Sequence, residues 1–168
     1  IDRAMSFFMQ IKVLNYDKPN VDRRILVDRI ENDKVRVCNV IQSMGIDICD
    51  IRVEYKEDGS IDEIYTIHEL SSGEKRTLRL SEESGGTKKI ISIIPILLSG
   101  IEKNSLFLID ELDAKLHPLL TRYIINLFHN SDTNKGNGQL IYSTHDTVNL
   151  NKETFRRDEI WFVEKDKN

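Results

Sequence analysis

The sequence predicts an α/β fold: a mainly parallel sheet flanked by helices, with an N-terminal helix and a small antiparallel hairpin. Three observations predict it. Residues 106–109 are a wholly apolar run that ends in two carboxylates, Asp110 and Glu111. A short apolar run bounded by polar residues suits a strand buried on both faces, as parallel strands are. Residues 90–98 and 118–129, on either side of it, carry the apolar content of core-facing helices. Residues 46–70 instead alternate apolar and charged side chains about Asp58-Gly59, the pattern of a hairpin with one exposed face.

Length and composition bound the reading before any element is placed. A chain of 168 residues is long enough for one domain with a real core. Hydrophobic residues make up 39% and charged residues 31%, as in a globular protein of aqueous surroundings. The net charge of −4 carries no global basic signature for nucleic acid, although a local basic patch stays open. No stretch approaches a membrane span and no signal peptide opens the chain, so the expectation is a cytoplasmic protein with no membrane partner. Cys38 and Cys49 match no metal spacing and are expected to be reduced thiols. The first residue is Ile1 rather than Met, which raises the expectation of a piece of something longer.

Taken in order, residues 5–14 are apolar and suit helix or strand equally. Residues 15–20 are a polar break closed by Pro19. In residues 22–44, Ile25, Leu26, Ile30, Val37, Val40, Ile41 and Met44 recur mostly at three- and four-residue spacing, which predicts one helix stopped by Gly45. Residues 46–56 and 61–70 are the two arms of the hairpin, 71–74 a second turn, and 76–80 a short third strand. A single histidine there, His68, is expected to be satisfied locally. Residues 80–89 form a glycine-containing loop, and 90–98 a buried helix running to Gly100 with Pro95 inside it. After the strand at 106–110, Pro118 opens a helix that reaches His129, with Leu119, Tyr123, Ile124, Leu127 and Phe128 on its apolar face. Residues 139–142 are another short apolar strand, ending in Ser143-Thr144-His145-Asp146, and 159–164 are expected to be a last strand.

The chemistry gathers at three places. Ligands of open α/β sheets bind beyond the carboxyl ends of the strands, where Asp110 and Glu111 stand. Neighbouring strand residues point to opposite faces, so the two acids suit different tasks: one holding a metal, the other orienting or deprotonating a water. Glu83-Ser84-Gly85-Gly86-Thr87 precedes an apolar helix. A helix start offers unpaired N–H groups and a positive dipole end to phosphate, and glycines let backbone approach the oxygens. The plain alternative is a helix cap made by Ser84 or Thr87. His145 ends its own strand, as an ordinary histidine also could.

In order and spacing, these features resemble the signature loop, Walker B strand and H-loop of ABC-type ATPases. The Leu116-His117-Pro118 ending of the loop after Glu111 resembles RecF-like and overcoming-lysogenization-defect ATPases. The second half, through residues 156–166, is similar to bacterial AAA-family ATPases linked to abortive infection and phage resistance. The likeness covers residues 46–168 and is densest from Leu80 onward. It implies a P-loop NTPase core of ABC type that binds ATP and Mg²⁺ in a head-to-tail homodimer, with frequent links to DNA or to a nuclease or effector protein. It assigns Mg²⁺ to Asp110, the water to Glu111, and the γ-phosphate and water to His145. It assigns nucleotide contact to Ser84, Gly85, Gly86 and Thr87, and to Asp113 and His117 of the D-loop.

No G-x-x-x-x-G-K-[ST] occurs in the sequence. That P-loop cradles phosphates through backbone N–H groups and a lysine. The expectation is therefore that residues 46–168 are the C-terminal part of the ATPase core, and that residues 1–45 are a returning insertion segment. Two other functions compete with hydrolysis. A dimerisation or sensing module that never hydrolyses would have no need of Glu111. A metal-dependent nuclease on Asp110, Glu111 and Asp113 would need carboxylates from several elements, and the sequence offers one cluster.

Overall fold

A computed structural model describes residues 11–15 and 23–164. It is an α/β structure with two three-stranded sheets. Strand β1 (Ile11–Asn15) is followed by helices α1 (Arg23–Asn32) and α2 (Lys34–Ser43). The hairpin region forms β2 (Ile48–Tyr55), β3 (Ile61–Glu69) and β4 (Lys75–Arg79). A 3₁₀ turn (Leu80–Glu82) leads into helix α3 (Gly85–Glu102). Strand β5 (Leu106–Asp110), helix α4 (Pro118–His129), strand β6 (Gln139–Tyr142) and a 3₁₀ turn (Arg157–Glu159) complete the described chain.

The parallel sheet has the order β1-β5-β6, which puts the acid-bearing strand in the middle. The antiparallel sheet has the order β2-β3-β4. Its two turns depend on glycine: Gly59 and Gly73 have φ of +75° and +81°, where a side chain is disfavoured. Asp58 accepts the Ser60 N–H at 2.9 Å and so closes the first turn.

Helix α3 holds the two layers together. It is buried nearly all round through Ile90, Ile91, Ile93, Ile94, Ile96, Leu97, Leu98 and Ile101, as expected of a helix with elements on several sides. Both α1 and α2 pack on it, and α2 also packs on β2. Each such side chain removed from water contributes roughly 1.5–3 kcal/mol. Together they far exceed the roughly 3 kcal/mol that an interior proline costs, so the helix runs on through Pro95. Its C-terminal end lies flat on the sheet: a Cβ added to Gly100 would stand 2.1 Å from Cζ of Phe107.

Several expectations need correction. The helix predicted for 22–44 is two helices, broken at Asp33, which has φ −145° and ψ 40°. Asn32 and Asp33 are weak helix formers whose side chains compete for backbone bonds, and the periodicity of Ile30 and Val37 spans the break unnoticed. Of residues 5–14, those described form a strand, Ile11–Asn15, paired in parallel with β5; residues 5–10 lie outside the described part. Helix α3 begins at Gly85, not at Ile90, because Ser84 caps it there. Residues 160–164 form no strand: they follow the Arg157–Glu159 turn, and Trp161, Phe162 and Val163 are 86%, 83% and 95% exposed. Alternation and β-branching favour a strand only when a neighbour is there to pair with.

The parallel sheet is also not buried on both sides by the described residues. Phe107 and Ile109 face α3 and are 0% and 2% exposed. On the other face Val13, Leu108 and Ile141 stand in one row across the three strands, and Val13 and Ile141 are 73% and 59% exposed.

Candidate functional site

The carboxyl ends of β5 and β6 bring the late histidine and the acid pair to one rim. Asp110 is the last residue of β5 and is exposed. Glu111 leaves the strand with φ +49°, the left-handed region, which costs a non-glycine residue about 1–3 kcal/mol and clusters at functional sites. The strict alternation expected for the pair therefore stops at Asp110, and the two acids are not simply on opposite faces of a strand.

Ser143, the first residue beyond β6, ties them together. Its Oγ donates to Asp110 Oδ1 at 2.5 Å and accepts the Glu111 N–H at 2.8 Å. The backbones are stitched in the same place: the Ser143 N–H donates to the Ile109 carbonyl at 3.0 Å, and the Leu112 N–H to the Ser143 carbonyl at 3.1 Å. A hydroxyl that donates to one group and accepts from another fixes both. His145 Nε2 is 3.7 Å from Glu111 Oε1, and the imidazole is 86% exposed. The loop that carries it is braced on itself. Thr144 Oγ1 accepts the Asp146 N–H at 2.9 Å, and Asp146 accepts the Val148 N–H at 2.7 Å. The buried Asn149 anchors the loop on the Pro118 carbonyl at 3.1 Å.

The glycine turn lies at a helix start. Ser84 is the N-cap of α3 and its Oγ accepts the Thr87 N–H at 3.1 Å, a cap worth about 1 kcal/mol. Thr87 Oγ1 is 2.9 Å from the same oxygen. The capping alternative for Ser84 is thus present in the structure. Gly85 and Gly86 form the first turn, whose N–H groups have no partner within the helix. Gly86 is needed for proximity: a Cβ there would lie 3.0 Å from the Lys115 carbonyl oxygen.

Just before the turn, the buried Glu83 is bonded by Thr66 Oγ1 and by His68 Nε2, the latter at 2.6 Å. This answers the local satisfaction expected of His68: its partner comes from outside its own sheet, which no local pattern announces.

The loop between β5 and α4 runs from Glu111 through two turns, closed by the Ala114 N–H to Glu111 and the Leu116 N–H to Asp113. Lys115 is its second left-handed residue, at φ +61°. Lys89, 5% exposed, reaches up from α3 and donates to the Leu112 carbonyl at 3.0 Å and to the Ala114 carbonyl. Burial lowers its pKa to about 7, with Asp113 opposing the shift. Asp113 Oδ1 is buried without a hydrogen-bond partner. Tyr142 is pushed up to about 12 by burial and by Asp113 and Asp146. His117 ends the loop. It is the N-cap of α4, and its Nδ1 accepts the Leu119 N–H at 3.2 Å.

Sequence reasoning passed over Ser143 and Lys89. Ser143 reads as part of a strand end, and its place between two acids appears only once β5 and β6 are paired. Lys89 reads as the last residue of the glycine-containing loop; the signal that could have found it is its place at the head of an apolar run.

The donor set decides what metal would suit the rim. No group of three or more His, Cys, Asp or Glu among the described residues could hold an ion by itself. That suits Mg²⁺ arriving with phosphates, which needs only one or two protein carboxylates and keeps several waters. No helix of the described residues is long and apolar enough to cross a membrane, and both described cysteines are free thiols.

A family model described as "AAA domain, putative AbiEii toxin, Type IV TA system" matches residues 7–151. The match takes in both sheets, the α3 start, the acid pair and His145. No curated protein matches the chain.

Proposed function

The chain belongs to this family of AAA domains, which are nucleotide-binding and ATPase-like, and from that premise we propose that it is part of an ABC-type ATPase that hydrolyses Mg²⁺–ATP as a head-to-tail homodimer. The observation that carries the proposal is the Ser143 bridge between Asp110 and Glu111 with His145 Nε2 at 3.7 Å from Glu111. Phosphoryl transfer asks a protein mainly for positioning and charge neutralisation, and these residues are held at the ends of two adjacent strands by backbone bonds and the Ser143 hydroxyl.

In this reading Asp110 would hold Mg²⁺, with Ser143 fixing the carboxylate's orientation. The ion, when bound, neutralises charge on the transferring phosphoryl group. Glu111 orients or deprotonates the attacking water, and His145 contacts the water and the γ-phosphate. The N–H groups of Gly85 and Gly86 and the hydroxyls of Ser84 and Thr87 would contact the γ-phosphate of a nucleotide held by the partner subunit. Asp113 and His117 flank the same interface from the D-loop.

The phosphate cradle would come from another stretch of the full-length protein, with residues 46–168 as the C-terminal part of the core and residues 1–45 as a returning segment. Nucleotide-driven closure of two subunits suits control of a DNA transaction or of an effector protein. The family's description and the resemblance of the second half point to bacterial defence as the setting. A sensing module without hydrolysis is the other reading, and Glu111 at the rim weighs against it.

The test is Ser84→Arg in the full-length protein. A long cation at the helix start fills the space for the partner's phosphate, so ATP-dependent dimers are expected to vanish in light scattering and phosphate release to fall at least about 100-fold. A normal ATP-dependent dimer in the variant contradicts the proposal.

A further inference from the structure

We propose that Lys89 is a positioning residue that locks the Ser84-Gly85-Gly86 turn to the Glu111 loop, so that phosphate seated at one nucleotide site of the dimer sets the carboxylate that acts at the other. The inference rests on the ABC-type reading above, in which the glycine turn and Glu111 of one subunit serve different nucleotides.

Lys89 lies near the start of α3, one turn beyond Gly85. Its ammonium donates to the Leu112 and Ala114 carbonyls, and both belong to the turn that opens at Glu111. A second contact joins the same two pieces: Gly86 packs against the Lys115 carbonyl so closely that an added Cβ would stand at 3.0 Å. Segment 112–115 is therefore gripped by α3 at both ends. At its beginning, Glu111 is held by Ser143 through its N–H. A displacement of the α3 start must shift this segment, because side chain and backbone both bear on it and packed elements do not deform continuously.

The choice of residue argues for a directed role. A buried ammonium is unfavourable unless its N–H groups are used. A cation close to a helix N-terminus also opposes the helix dipole. A leucine or methionine would fill the volume without either penalty, but neither can bond two carbonyls. Hydrolysis as assigned to Asp110, Glu111 and His145 does not use Lys89.

Steady-state phosphate release by the full-length homodimer, measured against ATP concentration, tests the coupling. Lys89→Met keeps the bulk and removes the ammonium. Its kcat is expected to drop at least about 10-fold, with KM for ATP within about threefold and the ATP-dependent dimer retained, since small misplacements of a catalytic group alone cost that much. Lys89→Gln keeps N–H donors without the charge, and its kcat is expected between wild type and Lys89→Met; it stands in if the methionine variant does not fold. Wild-type kcat in both variants overturns the inference. So does a parallel loss of kcat, dimer and thermal stability, the mark of a residue that only packs. A wild-type protein with neither ATP-driven dimer nor phosphate release overturns the ABC-type reading and the coupling with it, which separates the two failures.

Discussion

Ser143 decides the geometry of the rim, and it does so with one hydroxyl. It orients Asp110 and holds the backbone of Glu111, which stands at φ +49°. Ser143→Ala leaves both acids in place but releases their orientation. Ser143 is exposed, so the unfolding midpoint is expected to change little, within about 1 kcal/mol. Phosphate release is expected to fall about 10- to 100-fold, the usual effect of removing a partner of a metal-holding carboxylate. Unchanged turnover would mean that Asp110 needs no such orientation. Residue identities at the strand end were legible in the sequence, because apolar runs ending in carboxylates have one natural place in a parallel sheet. The left-handed turn at Glu111 was not legible: it is imposed by contacts to Ser143, 32 residues away in the chain.

At the scale of elements, α3 and β5 were read correctly in kind, and their edges depended on single contacts. The helix starts five residues earlier than expected because a capped serine tolerates two glycines in the first turn. Near its other end Gly100 looks like a weak point, since alanine in its place would add about 1 kcal/mol of helix propensity. Packing reverses that sign. The added Cβ would press on Phe107, which is 0% exposed and locked edge-on to Phe128 at 5.8 Å between ring centroids. Overpacking of this kind costs about 1–3 kcal/mol. Gly100→Ala is thus expected to lower the thermal midpoint by about 2–6 °C, and Gly100→Ala combined with Phe107→Leu to recover part of it. A midpoint raised by Gly100→Ala would show that propensity outweighs packing here. The break between α1 and α2 escaped the sequence because helical periodicity continues across Asp33, while the chain itself does not.

On the scale of the whole molecule, the sheet joins strands from three distant stretches, with β1 and β6 on either side of β5. β5 and β6 could be read from their apolar runs. β1 could not, because residues 5–14 fit helix and strand equally until a partner strand settles the matter for 11–15. The same long-range pairing brings Asp110, Glu111 and His145 to one rim, and the α3 start lies against the loop that leaves it. The central claim, that this rim hydrolyses ATP between two copies, is met most directly by Glu111→Gln in the full-length protein. Phosphate release and mass by light scattering would be measured together in the presence of Mg²⁺ and ATP. The account predicts turnover reduced at least about 100-fold with dimers that persist as long as ATP is present. Turnover at the wild-type rate, or a variant that stays monomeric with ATP while the wild type dimerises, would contradict it.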